Sequence, residues 1–138
     1  MILLIRVIKI FLIFSSCHMA NLHAIDHYKD SIFFGNYIKN MQQTFDKSVK
    51  RNGWTLAKID DNKYIASILH KSYDIKVELL VEDKSVRLVL QSATRPDCTR
   101  RCKVDMDKVE GWLIRLRKSL ALDITYLVRD DALAKSIR

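Results

Sequence analysis

The stretch YDIKVELLV, residues 73–81, decides the fold of this chain. Its apolar side chains stand at alternate positions, at Tyr73, Ile75, Val77, Leu79 and Val81. Because successive side chains of a strand point to opposite faces, this alternation predicts a half-buried strand with one dry face and one wet face. A sheet with one dry face needs a second layer of structure to cover it.

Three neighbouring stretches also predict strands, at residues 54–59, 64–70 and 85–92. The connections between them, residues 60–63, 71–72 and 82–84, are short and polar. Short connections of this kind join antiparallel neighbours, so the four stretches predict a four-stranded antiparallel meander. Its far face should be polar and exposed, with Lys76, Glu78, Arg87 and Gln91.

Two amphipathic helices should cover the dry face. Apolar residues recur at three- and four-residue steps in each, at Tyr37, Ile38, Met41, Phe45 and Val49, and at Val109, Trp112, Leu113, Leu116 and Leu120. We expect the first helix over about residues 37–52, between an Asn36 N-cap and Gly53. The second should begin at Asp107. The prediction is an α+β fold in the order α-β-β-β-β-α.

The sequence predicts one domain at residues 25–124, preceded by a leader and followed by a C-terminal segment. Residues 25–35 predict an N-terminal arm or the first turn of a helix, and residues 125–138 a short helix or a disordered tail. Residues 1–24 predict a secretory signal peptide, with Arg6 and Lys9 before an apolar run and Ala24 at a cleavage site. An uncleaved anchor or a buried helix is the alternative. Cys17 follows two serines, as in a bacterial lipoprotein box, which leaves lipid attachment open.

The cysteines that follow the leader are Cys98 and Cys102. In an oxidising compartment such a pair usually forms a disulfide. The alternative is a metal site, but a single Cys-x₃-Cys lacks the second pair of ligands that zinc needs. We therefore expect a disulfide, no metal and no cofactor.

Charge makes this a basic protein. The net charge of +8 falls to +6 without residues 1–24, because Arg6 and Lys9 are the only charged residues among them. A basic surface favours anionic partners, and export makes nucleic acid the least suited of these. The connection after the last strand carries Arg95, Arg100, Arg101 and Lys103. It is either a solvated loop or an anion-binding patch, which Arg115 and Lys118 would extend.

Three motifs resemble a family of small exported, lipoprotein-like proteins of Gram-negative bacteria. The family pattern is a helix ending in Arg-Gly-Trp, a meander ending near Asp-Ser, and a helix built around Tyr-Asn-x-Trp-Ile. The matching stretches here are Arg51-Asn52-Gly53-Trp54, Gln91-Ser92 and Val109-Glu110-Gly111-Trp112-Leu113. The resemblance implies a periplasmic or envelope location and the same element order, and it implies no activity.

Catalytic motifs are absent from the sequence: there is no HExxH, no GxSxG and no Gly-rich phosphate loop. His27 and His70 are the only histidines beyond the leader. We therefore expect a non-enzymatic envelope protein, in the first place a protein-interaction module that uses its polar sheet face or a strand edge. The alternatives are binding to an anionic membrane surface through the basic loop, and a secreted factor of a host-associated bacterium. The sequence leaves the oligomeric state open.

Overall fold

The computed structural model describes residues 27–137, and the predicted signal peptide and Cys17 lie outside them. Five strands and two helices follow one another as β1 (Ile32–Phe33), α1 (Met41–Lys50), β2 (Thr55–Lys58), β3 (Lys63–His70), β4 (Tyr73–Glu82), β5 (Ser85–Thr94) and α2 (Met106–Ser136). The strands form one antiparallel sheet in the order β1-β5-β4-β3-β2. The predicted α+β class is confirmed, and the sheet has one strand more than the predicted meander.

Strand β4 is the centre of the sheet, as its alternation predicts. All five of its alternating apolar positions are buried: Tyr73, Ile75, Val77, Leu79 and Val81. Leu79 lies between Tyr64 of β3 and Leu88 of β5, and both neighbours are also buried. The hydrophobic pattern therefore sets the register, since a slip of one residue would turn every one of these side chains to the other face.

Two-residue turns connect β4 to its neighbours on both sides. Lys71 and Ser72 have φ angles of 49° and 67°, and Asp83 and Lys84 have 48° and 60°. Positive φ at both turn positions is typical of the type I′ turn, whose twist matches that of the flanking strands. These turns hold β3, β4 and β5 in sequential antiparallel pairing.

A β-bulge interrupts the pairing of β4 with β5. Lys76 lies opposite Ser92, but the next residue of β4, Val77, lies opposite Leu90, so Gln91 is the inserted residue. An inserted residue reverses the alternation that follows it. The reversal brings Ala93 opposite Ile75, where it packs against the core.

The fifth strand, β1, belongs to the predicted N-terminal arm. Ile32 pairs with Val86, and the backbone N–H groups of Phe34 and Gly35 donate to the Lys84 carbonyl at 2.9 and 3.2 Å. Phe34 is buried and joins the core. A two-residue strand is too short for alternation to reveal it in the sequence.

Helix α1 begins one turn later than predicted. Its N-cap is Asn40, whose side chain accepts a hydrogen bond from the Gln43 amide at 3.0 Å, so the prediction of Asn36 was wrong. Tyr37 lies before the helix and is exposed. Gly53 follows the helix with a φ of 77°, which a residue with a side chain rarely adopts.

Helix α2 is one continuous helix of 31 residues, and it includes the segment predicted as a tail or a separate helix. It begins after Asp105, whose side chain accepts from the Lys108 amide at 3.4 Å, rather than at the predicted Asp107. Its last turns pack against the arm, where Lys135 Nζ lies 5.9 Å from the centre of the Tyr37 ring. An ion pair between Lys135 and Asp131 adds local support.

Both helices cover the same face of the sheet. Phe45 and Val49 of α1 and Leu113, Leu116 and Leu120 of α2 are fully buried. Met41 and Trp112 are half-buried at the margin of this layer and pack against it. Hydrophobic burial between the helices and the sheet is therefore the main source of stability.

The opposite face of the sheet is mixed rather than polar throughout, because apolar side chains stand among the predicted polar ones: Ile65, Leu80 and Val89 are half-buried there and Leu69 is exposed. Lys76, Arg87 and Gln91 are exposed there, while Glu78 of the central strand is half-buried between its neighbours.

Candidate functional site

The loop that joins β5 to α2, residues 95–105, carries the predicted cluster of cations, and we call it the basic loop. Its two cysteines form the predicted disulfide: the sulfurs of Cys98 and Cys102 lie at bonding distance and their Cα atoms are 5.3 Å apart. The bond closes a short ring within the loop and so limits the conformations available to the side chains around it.

Arg95 fastens this loop to the sheet. Its guanidinium carbon lies 4.9 Å from the centre of the Tyr73 ring, and its Nη1 donates to the Arg101 carbonyl at 2.9 Å. At the far end of the loop, the Asp105 amide donates to the Tyr73 hydroxyl at 3.3 Å. Tyr73 therefore holds both ends of the loop, and the Arg95 guanidinium is engaged in this contact.

The other three predicted anion-binding residues differ from Arg95. Arg100, Arg101 and Lys103 are exposed, and no ion pair between described residues involves them. The structure thus places three of the four cations where a dissolved anion or a membrane surface could reach them.

A cleft of about 140 Å³ opens where the end of α1, the end of β3 and the start of α2 meet. We call it the indole cleft. Its lining combines two indoles, an imidazole, a guanidinium, an amide and one aliphatic side chain: Asn52, Trp54, Ile68, His70, Trp112 and Arg115. These lining residues include no carboxylate, so the positive charge of Arg115 is their only permanent charge.

Aromatic contacts fix the wall of the cleft that α2 contributes. The Trp112 ring meets the rings of His70 and Tyr73 edge-on, with centroids 5.6 and 5.2 Å apart. Edge-to-face pairs of this kind favour one ring orientation. Trp112 is therefore held in place before any ligand arrives.

The opposite wall comes from the chain that leaves α1. Gly53 reverses the backbone with its positive φ, and the Trp54 amide donates to the Val49 carbonyl at 3.1 Å. Trp54 lines the cleft but is only 3% exposed. The first and third motifs of the family resemblance, which contain Trp54 and Trp112, thus converge on one site.

Arg115 lies one turn beyond Trp112 on α2 and is exposed. Its Nε donates to the Gly111 carbonyl of the preceding turn at 3.3 Å. None of the ion pairs between described residues engages its guanidinium. The two Nη groups are therefore suited to an acceptor supplied from outside.

A buried polar cluster joins the two helices. Asp123 is only 4% exposed, and its carboxylate accepts from Ser48 Oγ at 2.6 Å and from Arg51 Nη2 at 2.7 Å. Ser119 Oγ donates to the Ser48 carbonyl at 3.2 Å. These groups satisfy one another, so the cluster is a clamp that fixes α1 against α2.

Residues 27–137 contain neither a metal-binding cluster nor a membrane-spanning helix. Within this range, His, Cys, Asp and Glu side chains do not come together in groups of three, as a metal site would need. Neither described helix has a stretch apolar enough to cross a bilayer.

The fold and the cleft define the protein as a small α+β domain with a helix-covered antiparallel sheet. No protein-family model matches the chain, and no curated protein or solved structure is significantly similar to it. Its function is therefore inferred from its own residues.

Proposed function

We propose that this protein is an exported, non-catalytic interaction module of the cell envelope, and that it captures an acidic side chain or a terminal carboxylate of a partner protein in the indole cleft. The single observation behind this proposal is the composition of the cleft, with indole walls and an exposed guanidinium at its rim. Its volume of about 140 Å³ is well below the roughly 300–1,000 Å³ of small-molecule sites. That size suits one side chain of a partner.

Charge supports a carboxylate as the bound group. The planar guanidinium of Arg115 can donate two parallel hydrogen bonds to a carboxylate, which are about twice as strong as neutral ones. His70 and Asn52 add polar groups at the same opening, while Ile68 and Trp112, both half-buried, offer apolar surface to the stem of the ligand. Aromatic and Arg residues are the usual anchors of protein interfaces.

The same lining favours binding over catalysis. A hydrolytic site would need a nucleophile within reach of a base, and the base would need an orienting group. His70 is the only lining side chain of a type suited to act as that base, and its ring meets the Trp112 ring edge-on. The lining residues include no Ser, Cys, Asp or Glu.

Export is supported by two independent features. Residues 1–24 have the pattern of a signal peptide. The disulfide between Cys98 and Cys102 is of a kind that persists in oxidising compartments. The intact mass of the protein recovered from a Gram-negative envelope tests this part. We expect loss of residues 1–24 and of two hydrogens; if Cys17 carries lipid, we expect instead loss of residues 1–16 with added acyl mass. A cytoplasmic protein with its full mass would contradict export.

NMR titration with two short acetylated peptides tests binding. Both peptides contain a Leu, and they differ only in the residue beside it, which is Glu in one and Gln in the other. We expect the Glu peptide to shift the indole N–H signals of Trp54 and Trp112, and Arg115→Gln to weaken binding about tenfold, or about 1.4 kcal/mol. Arg87→Gln is the matched control, because it removes an equal charge from the exposed sheet face. Equal binding of both peptides, or equal losses in both variants, would exclude carboxylate capture.

A second candidate function rests on the basic loop. The observation that favours it is the exposure of Arg100, Arg101 and Lys103 without ion-pair partners among the described residues. Such cations attract anionic lipid head groups or lipopolysaccharide phosphates, with a strength that falls as salt screens them.

Vesicle flotation tests this second candidate. Phosphatidylglycerol vesicles should carry the protein at low salt and release it at about 1 M salt, where the Debye length is about 3 Å. Replacing the three loop cations with Ser should abolish flotation and leave peptide binding in the cleft intact. Serine at Lys63, Lys76 and Arg87 is the matched control. Flotation that persists in the loop variant would exclude the loop as the binding surface.

A further inference from the structure

Tyr73 connects the basic loop to the indole cleft. The guanidinium carbon of Arg95 lies 4.9 Å from the centre of the Tyr73 ring, and the Trp112 ring in the cleft wall lies nearly perpendicular to it, with centroids 5.2 Å apart. Tyr73 is only 5% exposed, and a close-packed ring cannot move without displacing its neighbours. The loop and the cleft are therefore in contact through one side chain.

The disulfide constrains the contact of Arg95 with Tyr73. The Arg101 carbonyl, which accepts from Arg95 Nη1 at 2.9 Å, belongs to the segment that Cys98 and Cys102 close. Nε of Arg95 is buried without a hydrogen-bond partner among the described residues, so the guanidinium depends on this carbonyl and on Tyr73. Within the closed segment Arg101 has a φ of 53°, which is unfavourable for a residue with a side chain. Cleaving the disulfide would let Arg101 relax and withdraw its carbonyl from Arg95.

A second connection runs through the start of α2. The Asp105 amide donates to the Tyr73 hydroxyl at 3.3 Å, and the Asp105 side chain caps the helix. Cys102 precedes this cap by three residues, and Trp112 follows it by seven, which is about two turns. The disulfide therefore restrains the contacts that both ends of the basic loop make with Tyr73.

We propose that the Cys98–Cys102 disulfide is a redox switch for the indole cleft, and that the cleft binds a carboxylate more tightly while the bond is intact. This inference rests on the proposed function of the cleft. When the bond is cleaved, Arg95 and Asp105 lose their constraint, and the Trp112 ring is no longer held in one orientation. A ligand must then order the ring as it binds, which lowers its affinity.

The reductant is a protein dithiol of the envelope. Its thiolate attacks Sγ of Cys102, an exposed residue, and forms a mixed disulfide while Cys98 leaves as a thiolate. The second thiol of the reductant then displaces Cys102. Two electrons and two protons thus pass to the cysteines, which become thiols, and the reductant becomes a disulfide.

Peptide titration of the mature protein in two redox states tests the switch. NMR measures binding of the Glu peptide before and after reduction with dithiothreitol, and in the double variant Cys98→Ser with Cys102→Ser, which cannot form the bond. We expect the reduced protein and the double variant to bind about fivefold more weakly. The Trp112 indole N–H signal should also shift on reduction without any peptide. Asn40→Ala is the control for lost stability, because it removes the cap at the end of α1 away from the cleft and should bind as the wild type does.

A variant that keeps the disulfide tests the route. Arg95→Gln removes the guanidinium from the Tyr73 ring, so it should bind the Glu peptide as weakly as the reduced protein does and change little further on reduction. Arg87→Gln is the matched control, because it removes an equal charge from the exposed sheet face and should respond to reduction as the wild type does. An Arg95→Gln protein with the full response to reduction overturns the route through Tyr73.

Two results separate this inference from the proposed function. Equal affinity of the oxidised and reduced protein for the Glu peptide overturns the switch and leaves carboxylate capture standing. If neither form prefers the Glu peptide to the Gln peptide, carboxylate capture fails, and the Trp112 indole N–H signal decides the coupling. A signal unchanged by reduction then overturns the switch, whereas a shift supports the coupling of the disulfide to the cleft wall.

Discussion

Removing the Asp123 carboxylate tests whether the clamp between α1 and α2 contributes to stability. Asp123→Ala removes two charge-assisted hydrogen bonds, from Ser48 at 2.6 Å and from Arg51 at 2.7 Å. Hydrogen bonds to charged groups contribute about 1.5–3 kcal/mol each. Because Arg51 is partly exposed and regains water, we discount its share. The expected loss in the free energy of unfolding is about 2–3 kcal/mol.

The partner substitution has a different physical consequence. Arg51→Ala leaves a carboxylate that is 4% exposed with Ser48 as its remaining hydrogen-bond donor. Breaking a fully buried pair by removing one member costs about 3–5 kcal/mol, which is an upper bound here because Arg51 reaches solvent. The double variant should lose less than the sum of the two, with a coupling energy of about 1–2 kcal/mol.

Urea unfolding followed by circular dichroism measures these differences. A loss of about 2–3 kcal/mol shifts the urea midpoint by about 0.7–3 M, given slopes of about 1–3 kcal/mol/M. Lys50→Ala is the control, since Lys50 neighbours Arg51 but makes an exposed pair with Asp46. That variant should lose less than about 0.5 kcal/mol. Additive losses in the double variant, or an Asp123→Ala loss no larger than the control, would refute the reasoning.

Smaller perturbations test the loop, a helix cap and the surface charges. Ser at both Cys98 and Cys102 should cost about 2 kcal/mol in urea unfolding, because the ring they close is short; no loss would mean the bond does not constrain the unfolded chain. Asn40→Ala should cost about 1 kcal/mol and Asn40→Asp much less; equal losses would exclude the cap. Asp61→Asn removes the charged acceptor whose hydrogen bond raises the pKa of Lys58, so NMR titration should show that pKa falling. Because the folded pKa of Lys58 is raised, the contribution of the pair to stability disappears as pH rises through that pKa; because the folded pKa of Asp61 is lowered, the contribution is also lost as pH falls through the pKa of Asp61.

The sheet and its dry face were predictable because alternation is a local signal. Residues 74–80 of β4 have paired neighbours on both sides, so their burial follows the parity of the sequence. The helical layer was predictable for the same reason, since Phe45 and Leu116 stand in helical periods. Strand β1 was missed, because Ile32 and Phe33 are adjacent apolar residues without alternation.

Features that depend on tertiary contact gave weaker signals. Asp123 stands between Leu120 and Ile124, on the apolar side of α2, and a charge at such a position was the one hint of a buried cluster. The indole cleft joins residues from three parts of the fold. Its one signal in the sequence is that His70 has the same parity as Tyr64 and Ala66, which predicts that the His70 side chain lies on the helix-covered face of the sheet. The last turns of α2 carry many charges, so the sequence did not distinguish a longer helix from a disordered tail. The contact of these turns with the N-terminal arm is a tertiary feature that the sequence does not reveal.

The turn between β4 and β5 offers a way to stabilise the whole domain. Asp83 and Lys84 hold left-handed backbone angles of 48° and 60°, which cost residues with side chains about 1–2 kcal/mol each. Asp83→Asn together with Lys84→Gly should relieve that strain and raise the melting temperature, leaving the carbonyl of residue 84 available to the arm. The turn at residues 83–84 lies at the opposite end of the sheet from the indole cleft. These two substitutions would therefore give a more stable background protein, in which strongly destabilising variants remain folded and can be assayed.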